Sequence, residues 1–339
     1  MNRSTTFTRR TGWVLVGLSL VLHAVTVFAF ARQPDRLAAF TVMPIWFWGG
    51  LGLVCSSVAF YFLRAPLSLV VTGVWALTLL LGADEARIIA NLGTEPPQPG
   101  AAAMVDGRRP IRVITLNTAF SRFGDPAGDL DRWEPDIVLL QETHLGRVKA
   151  IADRLFEGRG HFRCFAENGV VSRWRITREV RNPDPGYHFF HHNVTIEHPD
   201  SGPIEVVNLH LSSAATDLQL WQRECWREHR ANRSKRRLEV AVALNILEQT
   251  TDFPGTRPVI LGGDFNAPPT DPIQLQLERD FQDAFLEAGT GWGDTFQRRI
   301  PILRLDQIHV SRHFTPVRCR AVTTRHSDHR MVVADLLLE

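Results

Sequence analysis

The chain has 339 residues, with 38 lysines and arginines, 36 acids and 44% hydrophobic residues, averages that match an ordinary soluble protein. These averages hide a split, because residues 11–31, 37–63 and 65–83 contain no charged residue. Seven of the bases and four of the acids precede residue 101, which leaves 31 bases and 32 acids for the remainder. Without a basic excess, the remainder does not match a nonspecific nucleic-acid binder, whose affinity comes mainly from phosphate contacts.

Residues 1–92 are predicted to form a membrane domain with three transmembrane helices. A bilayer core about 30 Å thick is crossed by about 20 apolar helical residues. Three segments approach or exceed that length without a charge, at about 13–31, 40–63 and 66–83. The alternative for the first segment is a cleaved signal peptide, because Arg9 and Arg10 precede it and Ala29-Phe30-Ala31 fits a cleavage site.

The orientation of the membrane domain is the same in both cases. Three spans with the N-terminus inside, or two spans after a cleaved signal, place the C-terminal part outside the cytoplasm. The distribution of arginines agrees weakly, with four on the inner side and three on the outer side. We therefore predict a multi-pass protein of the cell membrane with an extracytoplasmic C-terminal domain. Residues 93–110, rich in proline, glycine and alanine, are predicted to be a linker.

Residues 111–339 are predicted to form one α/β domain. Eight short apolar runs predict strands, at 111–116, 136–140, 169–171, 191–196, 204–211, 258–262, 305–310 and 331–338. The apolar spacing of residues 234–249 predicts a helix. Because strands outnumber helices and most runs are short and apolar, we expect two packed sheets with helices outside.

Acids, amides and histidines stand at the ends of six of these runs. They are Asn117, Gln141, Glu142, His210, Asp264, Asn266, Asp306, Asp328 and His329. One such residue alone is more often a turn or a helix cap. Six occurrences in one domain instead predict a common pocket at one edge of a sheet.

The predicted pocket has the composition of a phosphoesterase site. Oxygen ligands from Glu142, Asp264, Asn266 and Asp328, without a cysteine, suit Mg²⁺ or alternatively Mn²⁺ rather than structural zinc. Histidines beside a divalent ion can stabilise a phosphoryl oxyanion or transfer protons. The pocket composition therefore favours phosphoester hydrolysis.

The motifs around these residues resemble a known superfamily. ITLNTAF, LLQETH, NLHL, GGDFNAPP, RLDQIHVS and SDHRMVVADL follow the order and approximate spacing of the endonuclease/exonuclease/phosphatase superfamily. The resemblance covers residues 111–339. It implies a four-layered αββα sandwich of the deoxyribonuclease type, preceded here by the three transmembrane helices, with the active site at one end of the paired sheets.

The resemblance also implies roles for the acids and amides. Glu142 would be the principal Mg²⁺ ligand, with Asp328 near or on the metal. Asp264 would orient or deprotonate the attacking water. Asn117 and Asn266 would position the phosphate and the nucleophile.

For the histidines, the resemblance implies that Asp306 holds the ring of His329, whose other nitrogen stabilises the transition state. His210 would contact the phosphate or assist the leaving oxygen. His210 stands where abasic-site nucleases of the superfamily carry a tyrosine, and Ala119 stands where many of them carry an acid. These departures make DNA repair an unfavoured function.

Two further segments carry polar side chains. Residues 221–237 contain seven bases, and Arg223, Arg227 and Arg230 are predicted to bind the substrate or an anionic lipid, the alternative being a solvated helix. His188, His191 and His192 are interpreted as surface or strand-edge histidines rather than metal ligands.

The sequence thus predicts a membrane-anchored, Mg²⁺-dependent phosphoesterase. Its predicted partners are membrane lipids and a phosphorylated substrate, lipid-linked or in a head group, with no obligate protein partner evident. The first alternative is an extracytoplasmic nuclease acting on DNA or RNA. The second is a non-catalytic membrane scaffold with a degenerate pocket.

Overall fold

The computed structural model describes residues 3–87, 91, 93–181, 190–213 and 219–339. These residues fall into two compact units. Residues 3–87 and 219–230 form the first, here named the helical unit. The described residues from 91 to 213 and from 231 to 339 form the second, here named the sheet unit.

The helical unit begins with five helices in chain order. They are α1 (Arg3–Arg32), α2 (Ala38–Thr41), α3 (Ile45–Leu63), α4 (Pro66–Gly82) and α5 (Asp84–Arg87). Two helices of the described residues are long and apolar enough to cross a membrane, over Thr8–Arg32 and Ile45–Leu63. The third apolar helix, α4, has only 17 residues. The structure therefore supports two candidate spans rather than the three predicted, and the first lies near the N-terminus, where a signal sequence also fits.

The second apolar helix begins later than the sequence predicts. Residues 40–63 were expected to form one helix, but α3 starts at Ile45 and Phe40 lies in the short α2. Pro44 precedes α3 with an extended backbone. Proline lacks a backbone N–H and disfavours helical geometry in the residue before it, so the chain breaks here.

The interior of the helical unit combines an apolar cluster with small and polar groups. Trp75 of α4 is fully buried, and its Nε1 donates to Ser19 Oγ of α1 at 2.9 Å. Ser19 Oγ in turn donates to the carbonyl of Gly52 in α3 at 3.2 Å. A Cβ at Gly52 would lie 2.0 Å from the Trp75 ring, so only glycine permits this approach. Close packing through small residues is typical of helices in membranes.

The sheet unit contains two six-stranded sheets. The first has the order β11-β12-β1-β2-β4-β3 and the second the order β5-β6-β7-β8-β10-β9. The strands are β1 (Ile111–Asn117), β2 (Ile137–Gln141), β3 (His161–Phe165), β4 (Asn168–Ser172), β5 (Ile176–Arg181), β6 (Phe190–His198), β7 (Gly202–His210), β8 (Val259–Asp264), β9 (Phe281–Asp283), β10 (Asp306–Ser311), β11 (Phe314–Val322) and β12 (Met331–Leu338). Only β1 with β2 and β7 with β8 pair in parallel among the described strands.

Helices cover the outer faces of the two sheets. They are α6 (Ala127–Asp131), α7 (Leu145–Leu155), α8 (Arg223–Thr250), α9 (Gln274–Leu277) and α10 (Ala284–Ala288). Val148 and Ile151 of α7 pack in one core with β1, and Val240 and Leu247 of α8 pack in another with β7. Every residue of β1, β2 and β8 is buried, as expected for strands covered on both sides. The predicted four-layered sandwich is the observed arrangement.

All eight predicted strands are present, but four observed strands were not predicted. β3 is a half-exposed edge strand, and β11 alternates between buried and exposed residues with a bulge after Pro316. The short β5 and β9 also lie at sheet edges. Edge strands lack the continuous apolar run of a central strand, which explains why they were missed. The predicted helix over residues 234–249 is the C-terminal part of α8.

Part of the segment predicted as a linker packs on the sheet unit. The buried Arg112 donates through Nη1 to the carbonyls of Gln98 and Gly100, at 2.9 and 2.5 Å. The same side chain forms an ion pair with the buried Asp335 at 2.7 Å. Residues 98–100 are therefore fixed to this unit rather than free.

Candidate active site

The two parallel strand pairs end at the same edge of the sandwich. In the first sheet Asn117 closes β1 opposite Gln141, the last residue of β2, and Glu142 follows. In the second sheet His210 closes β7 opposite Asp264, the last residue of β8. Polar groups at the carboxyl ends of adjacent parallel strands face a common crevice. The topology thus brings together residues separated by as many as 147 positions in the chain.

Asn117 joins the two halves of the site. Its Nδ2 donates to Glu142 Oε1 at 3.1 Å and to Asp264 Oδ2 at 3.0 Å. Its Oδ1 accepts from the backbone N–H of Ala119 at 2.9 Å, which fixes the amide orientation. One buried side chain therefore holds a carboxylate from each sheet at a set position.

Asp306 and His329 form a buried pair beside Asp264. His329 Nδ1 lies 2.7 Å from Asp306 Oδ2, and His329 Nε2 lies 4.0 Å from Asp264 Oδ2. Burial alone would lower the pKa of His329, but the charges of Asp306 and Asp264 outweigh it and raise the pKa to about 10. The ring is therefore a cation at neutral pH, with Nδ1–H donating to Asp306 and Nε2–H directed toward the acids.

The remaining predicted residues lie around the same space. His210 Nε2 is 3.8 Å from Glu142 Oε1 and 3.9 Å from Asp264 Oδ2. Asn266 donates from Nδ2 to the carbonyl of Leu211 at 2.9 Å, and its backbone N–H donates to Asp264 Oδ1. These residues surround a cavity of about 390 Å³. Its lining residues are Ala119, Arg122, Glu142, His210, Leu211, Ser213, Asp264, Asn266, Phe296, Leu305, Asp328 and His329.

The donor set of the cavity fits a hard divalent cation. Ligand atoms of Asp264, Asp306 and His329 lie within 4.8 Å of one another. However, Asp306 is engaged by a protonated His329, and a protonated imidazole is not a metal ligand. The carboxylates of Glu142 and Asp328 face the cavity without that constraint. Oxygen donors of this kind are typical of Mg²⁺ and Mn²⁺ sites.

The loop after β1 is strained and shapes the wall of the cavity. Ala119, Phe120 and Ser121 have φ values of 47°, 51° and 60°, in the left-handed region that side chains disfavour. Phe120 N donates to the carbonyl of Glu142 at 2.9 Å, and Thr118 Oγ1 donates to the same oxygen at 2.6 Å. These bonds hold a backbone conformation that is typical of functional sites.

Several residues of the site were not predicted from the sequence. Arg122 follows the strained loop, and Phe296 packs against His329 with ring centroids 5.0 Å apart. Ser327 Oγ donates to the carbonyl of Asn117 at 2.6 Å and so ties the segment before β12 to the end of β1. Ser213 also lines the cavity. Only Ser327 had a sequence signal, because it stands next to the two predicted site residues that follow it.

The basic run of residues 221–237 divides between the two units. Arg223, Arg227 and Arg230 are exposed and belong to the helical unit, so their contact with a substrate stays a prediction. Arg233 and Arg236 are buried in the sheet unit, with Asp271 Oδ2 at 3.5 Å and 2.9 Å. These two arginines have a structural position rather than the solvated or lipid-facing one expected.

The predicted surface position of the histidines is wrong for His191 and His192, which are fully buried on β6. His192 Nε2 lies 2.9 Å from Glu179 Oε1, within a hydrogen bond between β6 and β5. His188 lies outside the described residues. The pattern GYHFFHHN did not show that β6 is covered on both faces.

The fold and the site together define a hydrolase of phosphate esters. Residues 109–329 match the model of the Endonuclease/Exonuclease/phosphatase family. The chain belongs to this family, whose members are hydrolases acting on phosphate ester bonds. A search of curated proteins found no match.

Solved structures with the same fold are distant in sequence. A protein of unknown function from Enterococcus faecalis is 15% identical with a TM-score of 0.53, over 67% of this chain and all of that chain. A mannosyl-6-phosphatase from Bacteroides thetaiotaomicron is 16% identical with a TM-score of 0.52, over 67% of this chain and all of that one. The human Nocturnin catalytic domain with bound sulfate is 19% identical with a TM-score of 0.52, over 68% and 94%. At these identities the similarity shows the fold alone.

Proposed function

We propose that the chain is a membrane-anchored, divalent-metal-dependent phosphoesterase that hydrolyses a phosphate ester or pyrophosphate by in-line attack of water. The observation that carries the proposal is the hydrogen bonding of Asn117 to both Glu142 and Asp264 at the wall of the 390 Å³ cavity. The adjacent His329 ring, held by Asp306, supplies a positive charge. The site therefore combines a place for a cation, a base and a charge for the phosphoryl oxygens.

Each side chain has a role that follows from its contacts. Asp264, fixed by Asn117, accepts a proton from the attacking water. The Nε2–H of His329, held by Asp306, donates to a phosphoryl oxygen that gains charge in the transition state. His210, which lines the cavity, would contact the phosphate or assist the leaving oxygen. A divalent cation bound by Glu142 and Asp328, most simply Mg²⁺, would neutralise the phosphoryl oxygens when present.

Membrane anchoring is supported by the two helices long enough to cross a membrane and by the shorter apolar helix α4. Large apolar side chains face outward on each of the three, among them Val21 at 64%, Val54 at 60% and Leu81 at 75% exposed. The buried contacts of these helices combine an apolar cluster with the hydrogen bonds of Ser19. A helix that exposes its apolar residues needs an apolar surrounding. The positions of the arginines favour an extracytoplasmic sheet unit.

We propose a lipid-linked or head-group phosphate as the substrate. An enzyme anchored in a membrane shares that membrane with lipid-linked substrates, and the balance of 31 bases and 32 acids beyond residue 100 is poor for polyanion binding. The human Nocturnin catalytic domain, which has the same fold, has a bound sulfate anion. This supports a tetrahedral oxyanion as the group that the proposed enzyme binds.

The proposal is tested with the full chain in detergent. Hydrolysis in Mg²⁺ is measured as released phosphate for lipid pyrophosphates and sugar phosphates, as the separated head group for phospholipids, and as acid-soluble nucleotides for nucleic acids. We expect turnover of a lipid phosphate that is lost in EDTA and in Glu142→Gln, but kept in the exposed control Glu134→Gln. Turnover of nucleic acids alone would favour the nuclease. A cellular phenotype that survives both Glu142→Gln and Asp264→Asn would favour the scaffold.

The orientation is tested with a reporter fused after Glu339. A signal outside the cytoplasm is expected from the predicted topology. A cytoplasmic signal would overturn the proposed localisation while leaving the enzymatic proposal intact.

A further inference from the structure

Exposed apolar side chains of the sheet unit concentrate around the cavity. Eight large apolar side chains of its described residues are 41% exposed or more, namely Met104, Phe120, Phe123, Leu145, Leu238, Leu275, Trp292 and Ile300. Four of them, Phe120, Phe123, Leu145 and Ile300, belong to three segments that contact one another beside the cavity. We name residues 119–125, 145–147 and 296–300 the mouth rim.

Direct contacts connect the three segments. The Arg298 guanidinium lies over the Phe123 ring, 5.0 Å from its centroid. Arg147 Nε donates to Ser121 Oγ at 3.1 Å, which joins the first turn of α7 to the loop after β1. Arg122 and Phe296 line the cavity itself. The three segments of the mouth rim are therefore joined by direct contacts, and two of them supply residues to the cavity lining.

The charge of the mouth rim differs from that of the domain around it. The mouth rim contains four arginines and one acid. The acid, Asp125, pairs with Arg147 at 3.0 Å, which leaves an excess of three bases, Arg122, Arg298 and Arg299. Residues 101–339 as a whole contain 31 bases and 32 acids. The excess of positive charge thus coincides with the exposed apolar side chains.

We propose that the mouth rim lies in the interface of a bilayer carrying anionic head groups and admits a phosphorylated head group to the cavity. Apolar side chains that enter the acyl boundary, next to arginines that meet anionic lipid, are the features of interfacial binding surfaces. Ile300 and Leu145 are aliphatic and cannot stack on bases, so the surface fits lipid better than single-stranded nucleic acid. The admission of a head group rests on the proposed hydrolysis, whereas contact with the bilayer rests only on the proposed membrane anchoring.

The contact is tested in the full chain reconstituted in nanodiscs. Phe123→Cys, Ile300→Cys and the control Leu275→Cys are each labelled with a fluorophore, with the half-buried Cys55 and Cys164 replaced by serine. Leu275 is 72% exposed but lies on α9, outside the mouth rim. Quenching by nitroxide-labelled lipid is then compared between phosphatidylcholine discs and discs that also contain phosphatidylglycerol.

We expect the labels at residues 123 and 300 to lose most of their fluorescence while the label at 275 keeps it. Phosphatidylglycerol should increase the quenching, and Arg122→Ser combined with Arg299→Ser should remove that increase. Labels at 123 and 300 that stay as unquenched as the label at 275, or equal quenching at all three positions, would overturn the proposal. Quenching without hydrolysis of any phosphate ester would refute the proposed function but not this surface, and hydrolysis without quenching would do the reverse.

Discussion

The helical unit and the sheet unit expose different kinds of surface. In the helical unit large apolar side chains face outward, and the contacts between helices combine an apolar cluster with the hydrogen bonds of Ser19. In the sheet unit the apolar side chains fill the layers between strands and helices. Its buried charges are paired, as Arg112 is with Asp335, or gathered at the active site. The helical unit is thus suited to an apolar surrounding and the sheet unit to water. Whether polar residues lie inside or outside a unit indicates which of the two surrounds it.

The buried acids of the site should matter for catalysis more than for folding. Asp264→Asn removes the proposed base and is expected to lower kcat by about 10²–10⁴-fold. Its unfolding temperature should change little, because relief of the repulsion among clustered carboxylates is offset by the weaker attraction to the His329 ring. Phosphate release and thermal unfolding of the full chain check both expectations. Asp153→Asn, at an exposed carboxylate on α7, is the control and should change neither. A stability loss that parallels the loss of kcat would assign Asp264 a structural role.

A buried ion pair should have the largest effect on the stability of the sheet unit. Arg112→Met leaves Asp335 buried, and its remaining ion-pair partner among the described residues is Arg318, at 3.7 Å. We expect a loss of about 3–5 kcal/mol in the free energy of unfolding. Chemical denaturation measures it, and Arg154→Met, which removes an exposed pair with Asp131, should change little. Equal small effects would mean that residues 98–100 and the pair are not part of the stable core.

The neutral histidine His309 should make the sheet unit sensitive to acid. Burial lowers the pKa of His309 from 6.5 to about 4, with Arg304 acting in the same direction and Asp283 opposing it. Between pH 6.5 and about 4, His309 binds a proton in the unfolded chain but not in the folded chain. Stability should therefore fall by up to about 1.4 kcal/mol per pH unit between these two pKa values and be independent of this group above pH 6.5.

Denaturation curves from pH 7 to pH 4 measure this dependence. His309→Gln, which can keep a hydrogen bond to Gln307, should reduce the slope relative to the wild type. An unchanged slope in the variant would show that other groups cause the acid sensitivity.

The close helix packing should respond to a single methyl group. Gly52→Ala places a Cβ 2.0 Å from the Trp75 ring, whereas the matched Gly50→Ala meets no atom within 4 Å. We expect Gly52→Ala to cost about 1–3 kcal/mol and Gly50→Ala to be neutral or favourable. Thermal unfolding in detergent checks the pair. If both changes had the same effect, α3 and α4 would not pack as the structure shows.

The strand ends could be read from the sequence because their chemistry is local. Asn117, Asp264 and His329 each stand beside an apolar run, so both the strand and its polar end are visible. Arg122 and Phe296 carry no such signal, since their place in the cavity depends on loop conformations. The edge strands were missed because solvent on one side breaks their apolar pattern.

The burial of charged and polar side chains was the property hardest to predict from the sequence. Arg233 and Arg236 belong to a run that looks solvated, and their burial depends on partners that are distant in the chain, among them Asp271, 35 positions after Arg236. The sequence likewise predicts a surface position for His192, whereas the structure buries it beside Glu179 of the neighbouring strand. Such pairings are set by the tertiary fold rather than by spacing along the chain.

The most direct test of the account is metal binding at Glu142. Titration of the full chain with Mn²⁺, followed by electron paramagnetic resonance, should show one tightly bound ion that competes with Mg²⁺. The binding should be lost in Glu142→Gln and retained in Glu134→Gln, together with phosphate release. Tight binding that survives Glu142→Gln, or phosphate release that persists without any divalent ion, would contradict a metal-dependent phosphoesterase at this cavity.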